Sequence, residues 1–169
     1  MTLGIFAQGK VEWIDWGDLE IKMQESPRKI MVHLYKETCH WCKELEEDIL
    51  NQEDISSYLN IRYYPIRLNV NHDRNIRVNQ RVYKSSAHGN HELVQALTQG
   101  NVSLPMIIFI DNRYNVIQAF PGRQKSEKFI HILKYFGDDH YLRVPWNRYM
   151  ATKTNYKSDN NHGHFTNQK

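Results

Sequence analysis

Cys39 and Cys42 are the two cysteines of a 169-residue chain, and only His40 and Trp41 separate them. Structural disulfides more often close longer loops in smaller secreted domains, so a stapled scaffold is a poor reading of this pair. Reactive thiols or metal ligands fit better. If a helix begins here, Cys39 sits beside unpaired backbone amides and the positive end of the helix dipole, both of which favour thiolate over thiol. Cys42, three residues on, shares that face and is placed to attack a mixed disulfide formed at Cys39. A full dithiol cycle would then fit in four residues.

The neighbours of the pair each carry a functional and a plainer reading. His40, if protonated, would stabilise the Cys39 thiolate further; otherwise it is a solvated imidazole. Trp41 offers an apolar face to a client polypeptide, or packs over the helix start. Lys36 and Glu37 would tune the site in opposite directions, or remain solvated charges. His33 precedes the pair on the incoming segment and would relay a proton during attack by Cys42 if it points beneath the cysteines. The alternative is a core histidine with a satisfied hydrogen bond.

These residues need elements to hold them. Residues 29–36, with Ile-Met-Val-His-Leu-Tyr inside, read as a buried strand. Before it, Trp13, Trp16, Leu19 and Met23 share one side of a short helix that stops at Ser26-Pro27. After Cys39, the recurrence of Cys42, Leu45 and Ile49 predicts a helix with Lys43, Glu44, Glu46 and Glu47 toward water. Asn51 reads as the cap of a following helix that buries Ile55, Tyr58 and Leu59. Residues 62–70 form a second strand with Tyr64, Ile66 and Leu68 on one side, and Pro65 places part of it at an edge or bulge. A small hairpin turning at Asn79-Gln80 is expected over residues 76–83, then a helix through Leu93, Val94 and Leu97 closed by Gly100. Residues 104–110 and 115–120 pair as a hairpin about Asp111-Asn112, and Phe129, Ile130, Leu133 and Phe136 mark a last amphipathic helix ending at Gly137. Residues 141–149 add a short turn or helix interrupted by Pro145. The order predicts an α/β fold: a small mixed central sheet with a right-handed parallel crossover, an antiparallel hairpin edge, and helices on both faces.

Composition limits the alternatives. A mass of 20.2 kDa amounts to one ordinary domain. Forty per cent hydrophobic residues suffice for a core, and a net charge of +3 without a dense basic block gives no reason to expect a nucleic-acid partner. No apolar run approaches the ~18 residues that cross a bilayer, so stable membrane insertion is not expected. Residues 1–10, with Gly-Ile-Phe-Ala, look like the end of a truncated export signal, against the alternative of a cytosolic protein with a frayed start. Residues 151–169 are polar and expected to form a disordered tail.

Pro105 is the second chemical position. A proline opening a strand leaves an amide-free site, and a cis Leu104-Pro105 bond would turn backbone groups outward toward an extended partner. Taken together, the strand before Cys39-His-Trp-Cys42, Pro105 opening Met-Ile-Ile-Phe-Ile-Asp111, and Phe120-Pro-Gly122 before a helix resemble the thioredoxin-like family, in particular its secreted bacterial members. The likeness covers approximately residues 11–149 and implies a thioredoxin-like domain over residues 11–150. It further implies thiol-disulfide exchange without a cofactor: Cys39 as exposed attacking thiol, Cys42 as buried resolving thiol, and Pro105 as a cis-proline facing them. Trp41 and the Leu104 backbone would meet the client, and Met106, where threonine is common, would make the client groove more apolar. His33 matches the position of a buried acid in relatives, so the direction of its effect is open. Thr38 replaces a frequent tryptophan and His40-Trp41 a frequent Gly-Pro, so the redox potential cannot be borrowed.

The expected protein is therefore a monomeric protein thiol-disulfide oxidoreductase in the periplasm or outside the cell, with the cytoplasm as the alternative. Its partners would be client proteins with disulfides and an electron donor. Two other readings compete. A metallochaperone would hold Cu(I) or Zn(II) on the two thiolates with His40 or tail residues His162 and His164, although closed zinc sites take four ligands. A non-enzymatic module would present the surface around Trp41 and Pro105.

Overall fold

The computed structural model of the protein describes residues 9–161, with side chains through Lys153. The leader-like residues 1–8 lie outside the described residues.

Four strands form the central sheet in the order β2-β1-β5-β6: β1 is Lys29–Tyr35, β2 Tyr63–Asn69, β5 Met106–Ile110 and β6 Val116–Pro121. β1 and β2 are parallel, and β5 runs antiparallel to both β1 and β6. Joining parallel strands demands a long crossover. It is built from α2 (His40–Leu45), a π-helical turn (Glu46–Leu50) and α3 (Glu53–Arg62). β2 lies at the sheet edge, where Pro65 costs no ladder bond that a neighbour needs. The separate hairpin β3 (Ile76–Val78) and β4 (Arg81–Tyr83) turns at Asn79-Gln80, both in left-handed backbone, the geometry that a two-residue hairpin turn requires.

Strand alternation sorts the core into two. Ile30, Val32 and Leu34 of β1, with Met106, Ile108 and Ile110 of β5, pack under α1 (Trp16–Glu25), α4 (Glu92–Thr98) and the small hairpin. Met31 of β1, with Ile107 and Phe109 of β5, faces the crossover helices, α5 (Ser126–Gly137) and Tyr149 of α6 (Trp146–Asn161). Burial on both faces explains the unbroken apolar runs of β1 and β5. Each fully buried aliphatic side chain contributes roughly 1.5–3 kcal/mol of transfer free energy. The buried Tyr63 hydroxyl donates to the Leu133 carbonyl at 2.7 Å.

Several expectations shift by a residue or a role. α1 starts at Trp16, so Trp13 lies outside it and packs on the opposite core. The break near Asn51 is present, but Asn51 closes the π turn, and its side chain accepts a bond from Val11 N at 3.3 Å; Gln52 occupies the cap of α3 without a side-chain capping bond, its amide donating instead to the Asp48 carbonyl. Pro145 separates a 3-10 turn (His140–Leu142) from α6. That helix continues through Asn161, so residues 151–161 have helical backbone where a disordered tail was expected. Low apolar content allows a helix to run past its docked turn, because each added residue completes a backbone bond once nucleation is done. Residues 162–169 of that tail lie outside the described residues.

Candidate functional site

β1 ends at Tyr35, and a turn closed by the Cys39 N–H on the Lys36 carbonyl at 2.9 Å delivers Cys39 to the start of α2. Cys39 is the N-cap. Its backbone is extended, and its Sγ accepts the backbone N–H of Cys42 at 3.2 Å. A side-chain acceptor at this position satisfies an amide that the helix leaves free, and any negative charge on the sulfur strengthens that bond. The two cysteines form a disulfide with Cα atoms 5.3 Å apart. Cys42 is 2 % exposed and sits behind the half-buried Cys39, so the partners differ in accessibility.

His40 and Trp41 lie on the outside of the same turn. Trp41 is 57 % exposed, an unusual cost for so large an apolar surface unless something covers it. His40 reaches along the helix to Glu44 at 2.8 Å, and Arg123 bonds both Glu44 and Asp48. Arg123 ties the segment after β6 to the active helix. One residue earlier, the Gly122 N–H donates to the Pro105 carbonyl at 2.7 Å, with Gly122 in left-handed backbone that suits glycine.

Leu104-Pro105 is cis. Met106 pairs with Leu34, near the end of β1, so Pro105 lies at the sheet end from which the chain turns toward Cys39. Met106 itself is 4 % exposed in the core under α1 and α4. The expected contribution of its side chain to a client groove is corrected here: strand alternation turns it inward. Glu37 is exposed and lies against the Tyr35 hydroxyl. Burial holds the Tyr35 phenol up, Arg67 opposes this, and Glu37 adds to it.

His33, named from the sequence as a candidate proton relay, is joined by two residues that the sequence reading missed, Glu46 and, through it, Arg67. His33 is fully buried on the β1 face shared with Met31, and its Nδ1 is 2.9 Å from Oε1 of Glu46. Arg67 Nε approaches the same oxygen at 2.9 Å. Burial pushes the Glu46 carboxyl up, but the His33 hydrogen bond and charge, then Arg67, outweigh it and hold it below its ordinary range. An ionised carboxylate only accepts, so Nδ1 of His33 carries the proton. Nε2, the other ring nitrogen, is buried without a polar partner among the described residues. Trp13 and Tyr35 wall the imidazole, with ring centroids at 6.2 and 6.0 Å, and the Arg67 guanidinium lies over both rings. Glu46 was expected to face water; it is the first residue of the π turn, and its side chain is 17 % exposed. Its position four residues after Cys42 was the available signal, since that spacing puts it on the cysteine's side of the helix.

Among the described residues, no three His, Cys, Asp or Glu side chains converge as a metal site, and no helix is long and apolar enough to cross a membrane. His162 and His164 lie outside the described residues.

Comparison with curated protein sequences returns no match. Among solved structures, the chain is similar to a thioredoxin-fold protein from Helicobacter pylori, at 18 % identity and a TM-score of 0.56 over 79 % of this chain and 86 % of that one. It is similar to an oxidoreductase named DsbH at 12 % identity and 0.55 over 79 % and 89 %. A thioredoxin from Thermus thermophilus aligns at 14 % identity and 0.54 over 93 % and 99 %. These likenesses concern the fold. The family model for the thioredoxin-like domain matches residues 18–137, more than half of the sequence, and the chain belongs to the thioredoxin-like domain family.

Proposed function

We propose that the chain is a protein thiol-disulfide oxidoreductase that reduces or exchanges disulfides of client proteins. One observation carries this reading. The sulfur of Cys39, a half-buried residue at a helix N-cap, accepts a backbone N–H, and the sulfur of the buried Cys42 is already bonded to it.

In the reduced protein, the Cys39 thiolate attacks one sulfur of a client disulfide, and the other client sulfur leaves as a thiolate. Cys42 then gives up its proton and attacks Cys39 Sγ. The second client thiolate leaves, both client thiolates gain protons, and the Cys39-Cys42 disulfide remains. A dithiol donor returns two electrons and two protons to the pair. His33 is assigned as the group that relays the proton of Cys42, because its Nε2 is buried without a partner and its Nδ1 is held by Glu46, four residues after Cys42. Trp41 and the backbone of Leu104 and Pro105 meet the client; the Met106 side chain is left out. Glu44 reduces the influence of His40, and Glu37 acts weakly from solvent. A periplasmic or secreted setting belongs to the same proposal and is tested by cell fractionation.

The test is reduction of insulin by dithiothreitol, with Cys39→Ser and Cys42→Ser beside the parent. Cys39→Ser should abolish catalysis, and Cys42→Ser should accumulate a mixed disulfide visible on a non-reducing gel. Undiminished turnover by Cys39→Ser, or no covalent adduct of Cys42→Ser across a range of redox buffers, refutes the proposal. Stoichiometric metal that is lost with either substitution would favour the metallochaperone instead.

A further inference from the structure

A client polypeptide lying over the disulfide has to be met from two sides: by the outer turn of α2, with Trp41, and by the backbone of Leu104 and Pro105. These come from segments far apart in the chain, and binding costs less when such groups are held at a fixed separation beforehand. One side chain is placed to hold them.

Arg123 follows Gly122, whose N–H donates to the Pro105 carbonyl at 2.7 Å. β6 has just ended at Pro121, which pairs with Met106, and Met106 pairs in turn with Leu34 near the end of β1. Arg123 therefore leaves the sheet at the end where Cys39 stands. Its guanidinium forks to two carboxylates: Nη1 donates to Oε2 of Glu44 on α2, and Nη2 to Oδ2 of Asp48 in the π turn, the second at 2.9 Å. Among the described residues, no other hydrogen bond or ion pair joins residues 104–125 to α2 or the π turn. The remaining oxygen of Glu44, Oε1, meets His40 Nε2 at 2.8 Å. A path of bonds thus runs from the cis-proline carbonyl through Gly122, Arg123 and Glu44 to His40, between the cysteines.

The residue types fit this task. Glu44 and Asp48 are four positions apart, so the helix sets two like charges on one face, which is destabilising unless a cation stands between them. The planar fork of arginine serves two carboxylates at once, and the point charge of lysine does not. The Arg123 and Glu44 side chains are 35 % and 27 % exposed, sheltered enough to keep one geometry. The guanidinium is engaged with the helix face and not with the sulfurs, so the exchange chemistry itself makes no use of it.

We propose that Arg123 is a positioning residue for client recognition: it locks the cis-proline backbone against the redox helix, so that an extended polypeptide meets Trp41 and Leu104-Pro105 together. This rests on the oxidoreductase reading above. A small disulfide needs only the Cys39 sulfur and gains nothing from the lock. Arg123 thereby sets the preference for protein disulfides over low-molecular-weight ones.

The test takes the fully reduced, full-length protein and follows oxidation of the Cys39-Cys42 pair by acid quench and alkylation, with insulin and with neutral bis(hydroxyethyl) disulfide, each in excess. The readout is the ratio of the two rate constants, insulin over small disulfide, in which a general change in the reactivity of the Cys39 thiolate cancels. Arg123→Gln should lower this ratio about fivefold, the scale of two partly exposed ion pairs lost together. Arg123→Lys, which keeps the charge but serves one carboxylate, should fall between Arg123→Gln and the parent. Glu44→Ala combined with Asp48→Ala should reproduce the fall from the other side of the lock, and adding Arg123→Gln to that pair should lower the ratio no further. A ratio unchanged by Arg123→Gln overturns the proposal. So does a further fall on top of the two alanines, which would put Arg123 in contact with the client itself. Failure of the exchange chemistry would show in the parent, and failure of this assignment only in the variants.

Discussion

Replacing Glu46 by Gln keeps the size of the side chain and removes its charge. In the native protein, one carboxylate oxygen accepts from both His33 and Arg67 at 2.9 Å. Arg67 is 41 % exposed and can turn back to water, so little of its pairing energy counts toward stability. His33 is fully buried and cannot. A hydrogen bond to a charged group contributes about 1.5–3 kcal/mol, and the Gln carbonyl recovers part of it, so Glu46→Gln should cost about 1–2 kcal/mol near neutral pH. For a domain of this size that lowers Tm by about 2–8 °C.

The loss should depend on pH in a defined sense. The folded-state pKa of Glu46 lies below its ordinary 4.5, so its contribution is fully present above that value and disappears as pH falls through the lower, folded-state value. Urea unfolding of both proteins at pH 7 and pH 3 measures this. The stability difference should be largest at pH 7 and shrink as pH falls below 4.5. Equal stability at pH 7, or a difference of the same size at both values, would show that Glu46 is not the ionised partner of His33.

The other expectations use separate parts of the molecule. His33→Asn should leave the first attack on a client nearly unchanged but slow release of the mixed disulfide, and quenched-flow kinetics should show the pH dependence of that step altered; identical profiles would remove His33 from proton transfer. His91 caps α4, its Nδ1 accepting the Leu93 N–H while Nε2 meets the Arg74 carbonyl, and burial leads the causes that lower its pKa. Its contribution is therefore complete above the unfolded value near 6.5 and lost as pH falls below it; His91→Asn, which can still cap, should flatten stability in that window. At Gly137 an added Cβ would lie 2.5 Å from the Tyr58 hydroxyl, so Gly137→Ala should destabilise by about 1–3 kcal/mol in thermal melts rather than gain helix propensity. Deleting residues 151–169 should leave the melting temperature and insulin reduction nearly unchanged, because Trp146, Tyr149 and Met150 are what dock α6 on the core.

What the sequence determined by itself was local. Two thiols three residues apart, an unbroken apolar strand before them and turn residues at Asn79-Gln80 each express a short-range rule of period, capping or backbone freedom, and the structure contains all three. That both faces of the sheet are covered was legible in the unbroken apolar runs of β1 and β5. Tertiary structure alone decided which polar groups meet. A one-residue widening of the helix turns Glu46 inward to His33, 13 positions earlier, and Arg67 arrives from the neighbouring strand. The same holds for Met106, read as a groove residue and buried by its place in the pleat. Periodicity records how a segment faces its own core. Which charge stands opposite depends on how distant segments pack, and no single segment carries that information.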